Sequence, residues 1–356
     1  MTDARIPVGI LGATGAVGQT FIRLLAGHPW FRVAELAASE RSAGKAYVDA
    51  ANWLEGELPD DVARLTVMPC DIERVQSPLV FSALDATAAG DLEPAFARAG
   101  RFVVSNAKNF RLDPDVPLVI PEVNAGHLEL IDAQRKLRGW SGAIVTNANC
   151  AATAATVALA PLHESFGVRT VFVATMQAIS GAGYPGVPSL DILGNVIPFI
   201  QDEEPKIERE MQKMLGRLKA GAVEPAPFQV SAHANRVPVE NGHTVVMSVA
   251  CDRRPSADDA ISAIREWRGA AEVRGLPSAP DVPLRYFADP SHPQPRRDAN
   301  LGRGMTVSVG RVREDPIFHV KLVAMAHNTV RGAAGGAMLN AELLVARGML
   351  KRSGAA

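Results

Sequence analysis

The sequence predicts an α/β fold in two parts, an N-terminal doubly wound parallel sheet followed by an α+β domain on a mostly antiparallel sheet. Three observations predict it. Residues 6–25 read as strand, glycine loop and helix. Fully apolar runs then alternate with helical patterns as far as residue 149, which marks a parallel sheet with helices on both faces. Beyond Cys150, long β-branched runs replace that alternation.

The first strand is Ile6-Pro7-Val8-Gly9-Ile10-Leu11. It runs into Gly12-Ala13-Thr14-Gly15-Ala16-Val17-Gly18, and Phe21, Ile22, Leu24 and Leu25 follow at helical spacing. In this context glycines permit a tight turn and let the backbone approach a pyrophosphate at the helix N-terminus, which makes the domain Rossmann-like. The spacing Gly9-x-x-Gly12-x-x-Gly15-x-x-Gly18 is a variant of GxGxxG, and an ordinary glycine-rich βα turn is the alternative. The second strand, 33–38, ends without the acid that bonds a ribose 2′-hydroxyl. Ser39-Glu40-Arg41-Ser42-Ala43-Gly44-Lys45 follows. Hydroxyls and a guanidinium suit a 2′-phosphate and favour NADP over NAD, with Glu40 discordant and a solvated polar loop as the alternative.

Leu79 to Leu84 is the next apolar strand, then a helix around 91–99, a strand at 102–105, and an apolar run 117–120 leading into Pro121-Glu122-Val123-Asn124. Arg111, just past a strand end, is of the type that holds an anion, although a lone loop arginine is more often solvated. Ala143, Ile144 and Val145 form a further strand, and Thr146-Asn147-Ala148-Asn149-Cys150 opens an Ala-rich helix through about Leu162. Cys150 therefore stands at a helix N-terminus, where unpaired N–H groups and the macrodipole favour a thiolate nucleophile. The alternative is a small buried hydrophobe.

In the second part, 170–177 is a β-branched strand that enters a Gly- and Pro-dense loop, 178–188. Asp202 to Lys219 reads as one charged helix. The stretch 230–237 is a strand or its end, 245–251 a strand, 258–267 a helix, and 305–311 and 317–326 strands. Arg236 and His243 are the types that bind a carboxylate and move a proton near neutral pH, although His243 beside a glycine is equally a turn histidine. A last helix opens at Asn328 and runs to about Arg347, expected to return to the first domain. The expected division is 1–149, 150–327 and 328–356.

The bulk composition excludes several classes of function. With 356 residues and 47% hydrophobic content, the chain builds two cored domains. Thirty-seven Lys and Arg nearly balance 38 Asp and Glu, so no overall field directs it to nucleic acid or an anionic membrane. No apolar stretch reaches a bilayer span, and the charged start, Met1 to Pro7, runs directly into a strand. Three widely spaced cysteines, Cys70, Cys150 and Cys251, suggest neither disulfides nor a metal site and fit a reducing, cytoplasmic compartment.

These segments, in this order, resemble the aspartate-semialdehyde dehydrogenases, particularly their archaeal/fungal branch, over nearly the whole chain. The motifs that carry the resemblance are Gly12–Gly18, Ser39–Lys45, Ile120–Asn124, Asn147–Cys150, Ser180–Leu193, Glu203–Lys206, Arg236–His243 and Asn328–Gly335. The resemblance implies that Cys150 attacks the aldehyde, Gln177 orients the thiohemiacetal and acyl intermediates, and His243 is the acid/base. It implies that Arg236 holds the substrate α-carboxylate, Glu203 the amino group, and Lys206, Arg111 and Asn149 the phosphate. NADP would lie along Gly12, Thr14, Gly15, Ala16 and Val17, with Ser39, Arg41 and Ser42 at the 2′-phosphate and Ser180, Gly181 and Asn328 near the nicotinamide. The implied reaction is phosphate-dependent interconversion of L-aspartate 4-semialdehyde and L-4-aspartyl phosphate through a Cys150 thioester, in lysine, threonine and methionine biosynthesis. The implied assembly is a homodimer or homotetramer.

Two stretches depart from the family's pattern. Ala151 replaces a hydroxyl residue after the nucleophile, and Lys108-Asn109-Phe110 replaces smaller residues and a histidine before Arg111. They leave room for a related thioester-forming reductase, of malonyl-CoA or N-acetylglutamyl phosphate. A non-catalytic NADP sensor would keep the glycine loop and need neither Cys150 nor His243.

Overall fold

The computed structural model describes residues 4–351; the charged start, Met1 to Asp3, lies outside them. Seven parallel strands form the first sheet, ordered Val67–Pro69, Phe31–Ala38, Ile6–Leu11, Leu79–Ser82, Phe102–Ser105, Ala143–Asn147, Leu118–Val119. The strand ends of Ile6–Leu11 and Leu79–Ser82, adjacent in the sheet, face the glycine loop. Gly12 has φ +74°, and a Cβ there would lie 2.5 Å from Ala83 O, so only glycine makes this turn. The helix Ala16–Leu25 starts at Gly15 with no side-chain cap, which leaves its first N–H groups available to a ligand.

The second sheet is mixed, ordered Gln229–Arg236, Val168–Gln177, His243–Cys251, Val320–Ala326, Val307–Glu314, Leu284–Phe287. Its three central pairings are antiparallel and its two outer ones parallel. The helix Cys150–Phe166 is buried on almost every side, as expected for one apolar all round, and packs on this sheet through Val157, Leu159 and Leu162. The helix Gly335–Ala346 places Leu339, Leu343 and Leu344 in the core of the first sheet with Ile10, Phe21 and Phe81.

Two sequence expectations are corrected. The charged helix expected over 202–219 ends at Met214, and Arg217–Lys219 instead pairs antiparallel with Ala222–Glu224. Gly216 permits the break, since a Cβ there would lie 2.5 Å from Glu224 O, and Ala220 and Gly221 both turn with positive φ. The last helix also begins differently: a single π turn, Val330–Ala334, precedes Gly335–Ala346.

Candidate active site

Four strand ends of the second sheet converge on the helix that begins at Cys150. Gln177 and Arg236 end neighbouring parallel strands and stand opposite each other in register. His243 begins the next strand, where Thr244 faces Met176 and His243 faces Ala326. Asn328 follows two residues beyond Ala326. Alternation along each strand would leave these residues unrelated; register makes them neighbours.

Gln177, Arg236 and Asn328 border a cavity of about 570 Å³ whose walls come from both sheets. Cys150, Gln177, Glu203, Lys206, Arg236 and Arg111 line it, with Asn149, Ser180, Gly181 and Asn328. Ala16 and Val17, from the glycine-loop helix, reach the same space. Gly12, Thr14 and Gly15 form the loop beneath and do not line it. Ser39, Arg41 and Ser42 also lie outside its lining, on the turn that follows Phe31–Ala38, with Ser42 buried and Arg41 exposed. That turn is next to the glycine loop, because its strand pairs with Ile6–Leu11.

Asn149 is the N-cap. Its Oδ1 accepts from the N–H groups of Ala151 and Ala152, each at 2.9 Å, so Cys150 is the first residue of its helix. Glu203, buried at the start of its own helix, accepts from Asn149 Nδ2 at 2.7 Å and Gln177 Nε2 at 3.1 Å, and pairs with Lys206 at 3.4 Å. Arg236 donates Nη1 to Ala178 O at 2.7 Å, and burial lowers its pKa. Asn328 joins two expected cofactor positions, donating to Ser180 Oγ at 2.8 Å while accepting from Gly242 N–H.

The thiol departs from the expectation drawn from its helix position. Burial, reinforced by the charge of Glu203, pushes Cys150 up to about 12, against the opposing pull of Arg111, the Ala151 N–H and Arg236. The macrodipole is one small favourable effect, and removal of the sulfur from water outweighs it. His243 does not line the cavity. It is fully buried directly behind Gly181, where a Cβ would lie 2.8 Å from Arg236 Nη1 and 3.1 Å from His243 Nε2. Its Nδ1 accepts the Ala178 N–H at 3.1 Å, which leaves the hydrogen on Nε2, and Nε2 has no partner. Burial and the charge of Arg236 push its pKa down to about 3, so the ring is a neutral donor.

The two departures have structural places. Ala151 is buried with its N–H on the Asn149 cap. Lys108 pairs with Asp202 at 2.8 Å across the cavity rim, and Asn109 donates to Ala86 O. Sequence reasoning missed Gly332, whose absent Cβ would lie 2.5 Å from Cys150 Cβ, and Glu210, which binds Arg111 and the Asn149 N–H. The one available signal for Glu210 was its spacing, two helical turns after Glu203 on the same face.

Comparison with known proteins gives one consistent result. Residues 7–131 match the family model for the semialdehyde dehydrogenase NAD-binding domain, and residues 159–331 the semialdehyde dehydrogenase dimerisation domain. The aspartate-semialdehyde dehydrogenase of Archaeoglobus fulgidus is 48% identical over 342 residues, 96% of this chain and 98% of that protein. That of Schizosaccharomyces pombe is 46% identical, over 96% and 99%. The crystal structure of aspartate-semialdehyde dehydrogenase with NADP from Candida albicans superposes with a TM-score of 0.89 at 42% identity, covering 97% of this chain and all of that one.

Proposed function

The chain belongs to the aspartate-semialdehyde dehydrogenase family, and from that premise we propose how its residues perform the family's reaction. That reaction is the NADP- and phosphate-dependent interconversion of L-aspartate 4-semialdehyde and L-4-aspartyl phosphate, a step in lysine, threonine and methionine biosynthesis. The observation that carries the assignment of roles is the single cavity in which the first residue of a helix, Cys150, meets Gln177, Glu203, Lys206, Arg111 and Arg236.

The residues fit NADP. The tight Gly12 turn and the uncapped start of Ala16–Leu25 form a cradle for the pyrophosphate, lined by Thr14, Gly15, Ala16 and Val17. Ser39, Arg41 and Ser42 offer two hydroxyls and a guanidinium to the 2′-phosphate, and the bonded pair Ser180 and Asn328, with Gly181, flanks the nicotinamide end. When bound, NADP accepts the hydride from the substrate carbon, or returns it in the reductive direction.

Cys150 Sγ bonds to the aldehyde carbon and later carries the acyl group as a thioester. Gln177, fixed by its bonds to Glu203 and Thr175, orients that adduct. Arg236 takes the α-carboxylate and Glu203 the ammonium. An ammonium on Glu203 cancels a charge that disfavours the thiolate, while the carboxylate on Arg236 cancels a smaller one that favours it. Lys206 and Arg111, whose Nε has no partner, receive phosphate, with Asn149 beside them. His243 keeps its proton and donates a hydrogen bond from Nε2–H to the oxygen that becomes an alkoxide at the adduct.

We assign residues 1–149 to cofactor binding, 150–327 to catalysis and dimerisation and 328–356 to a C-terminal segment whose helix, Gly335–Ala346, returns to the first domain; residues 352–356 lie outside the described ones. We also assign a homodimer or homotetramer. The test is NADP⁺ reduction with aspartate semialdehyde, with and without phosphate, in wild type and Cys150→Ala. Phosphate-dependent turnover lost in the variant is the expected result; turnover that survives the substitution refutes the assignment of the nucleophile. A cytoplasmic location accords with three free cysteines and with the lack, among the described residues, of any helix long and apolar enough to cross a membrane.

A further inference from the structure

We propose that Glu210 is a positioning residue of this reaction, whose one carboxylate fixes the anion-binding Arg111 against the nucleophile Cys150. The inference rests on reading Arg111 as a phosphate contact. Glu210 lies two turns after Glu203 on the helix Glu203–Met214, and it is almost wholly buried. Its Oε1 accepts from Arg111 Nη1 at 2.9 Å and its Oε2 from the Asn149 N–H at 2.6 Å. One carboxylate thus joins three segments remote in sequence: the loop after Phe102–Ser105, the cap of the Cys150 helix, and its own helix.

The geometry leaves Arg111 little freedom. Its Nη2 donates to Asn106 O at 2.7 Å, so the Glu210 and Asn106 bonds set the plane of the guanidinium, and only Nε is left without a partner. Asn149 is equally committed. Its side chain serves the helix cap and Glu203, its carbonyl accepts from Thr153, and its N–H serves Glu210. Any shift of the Glu210 carboxylate therefore moves the arginine relative to the residue that precedes Cys150.

The same helix also holds the backbone of the arginine loop. Lys213 is buried, and its Nζ donates to the carbonyls of Arg111, Asp113 and Val116 at 2.6 to 2.8 Å. Charge acts in parallel with geometry. Arg111 favours the Cys150 thiolate, and Glu210 is the counter-charge in contact with that guanidinium. Removing the carboxylate's charge while keeping its shape exposes the thiol to an uncompensated cation.

Two variants separate geometry from charge. Glu210→Gln keeps the shape and an oxygen for the Asn149 N–H, but it loses the charge and turns an N–H₂ donor toward Arg111 Nη1; Glu210→Asp keeps the charge and retracts it by a methylene. In both, circular dichroism and NADP binding check the fold. For E210Q we expect the KM for phosphate to rise about tenfold and the pH midpoint of Cys150 alkylation to fall. For E210D we expect the KM to rise with the midpoint unmoved. A merely structural Glu210 would lower the melting temperature and leave both readouts at their wild-type values; that result in either folded variant overturns the proposal. Arg111→Lys run alongside tests the premise separately. If R111K leaves the phosphate KM unchanged, Arg111 is not the phosphate contact, and the alkylation midpoint of E210Q alone then decides whether Glu210 acts on Cys150.

Discussion

Gly332→Ala should disable the nucleophile without unfolding the protein. The new Cβ would lie 2.5 Å from Cys150 Cβ and 2.8 Å from its Cα, whereas ordinary carbon contacts begin near about 3.5 Å, so about 1 Å of movement is required. Neither partner yields by rotating a side chain, because both carbons are fixed by backbone. The π turn that carries Gly332 is anchored by the bidentate Arg331–Glu122 pair, 2.6 and 2.8 Å, and by the Gly332 N–H on His327 O. The strain should amount to about 1–3 kcal/mol, and relieving it by displacing Cys150 about 1 Å should cost about 100-fold in rate. The assay is kcat with aspartate semialdehyde and phosphate, together with Cys150 alkylation and NADP affinity. Gly126→Ala is the control, since its Cβ would meet nothing within 4 Å. A G332A enzyme with wild-type kcat would refute the argument that the π turn sets the thiol's position.

Arg331→Met leaves Glu122 buried without its cation, which should destabilise the protein by about 3–5 kcal/mol in denaturant unfolding, with Glu122→Gln similar. Glu203→Gln should lower the pH midpoint of Cys150 alkylation, because Glu203 disfavours the thiolate, and should raise the KM for the semialdehyde. Acid should destabilise the fold through three histidines that burial holds neutral, His127 and His327 at about 4 and His243 at about 3. In the unfolded chain each takes up a proton near its ordinary value. Their contribution is therefore complete above about pH 6.5 and lost as pH falls toward 4 and below, by at most about 3–5 kcal/mol per group, which unfolding at a series of pH values measures.

What could be read from the sequence was local. The glycine loop is legible because the positive φ of Gly12 and the close approach at Gly18 are demands that only glycine meets at those points. The apolar run Ala143 to Val145 and the Ala-rich run after it placed Cys150 at a helix start, since strand and helix periods are decided within a few residues. Residue type nominated Arg236 and His243, and the family resemblance added Gln177.

Tertiary structure alone decided what surrounds them. Strand register sets Gln177 beside Arg236, and Glu210 reaches Arg111 across 99 residues of chain and Asn149 across 61. The break at Gly216 belongs to a hairpin whose partner strand lies beyond the helical pattern. The thiol's ionisation reversed its local expectation for the same reason. A helix terminus is a property of neighbours in sequence, whereas desolvation sums over every group packed around the sulfur, and packing is fixed only when the two sheets close on one cavity.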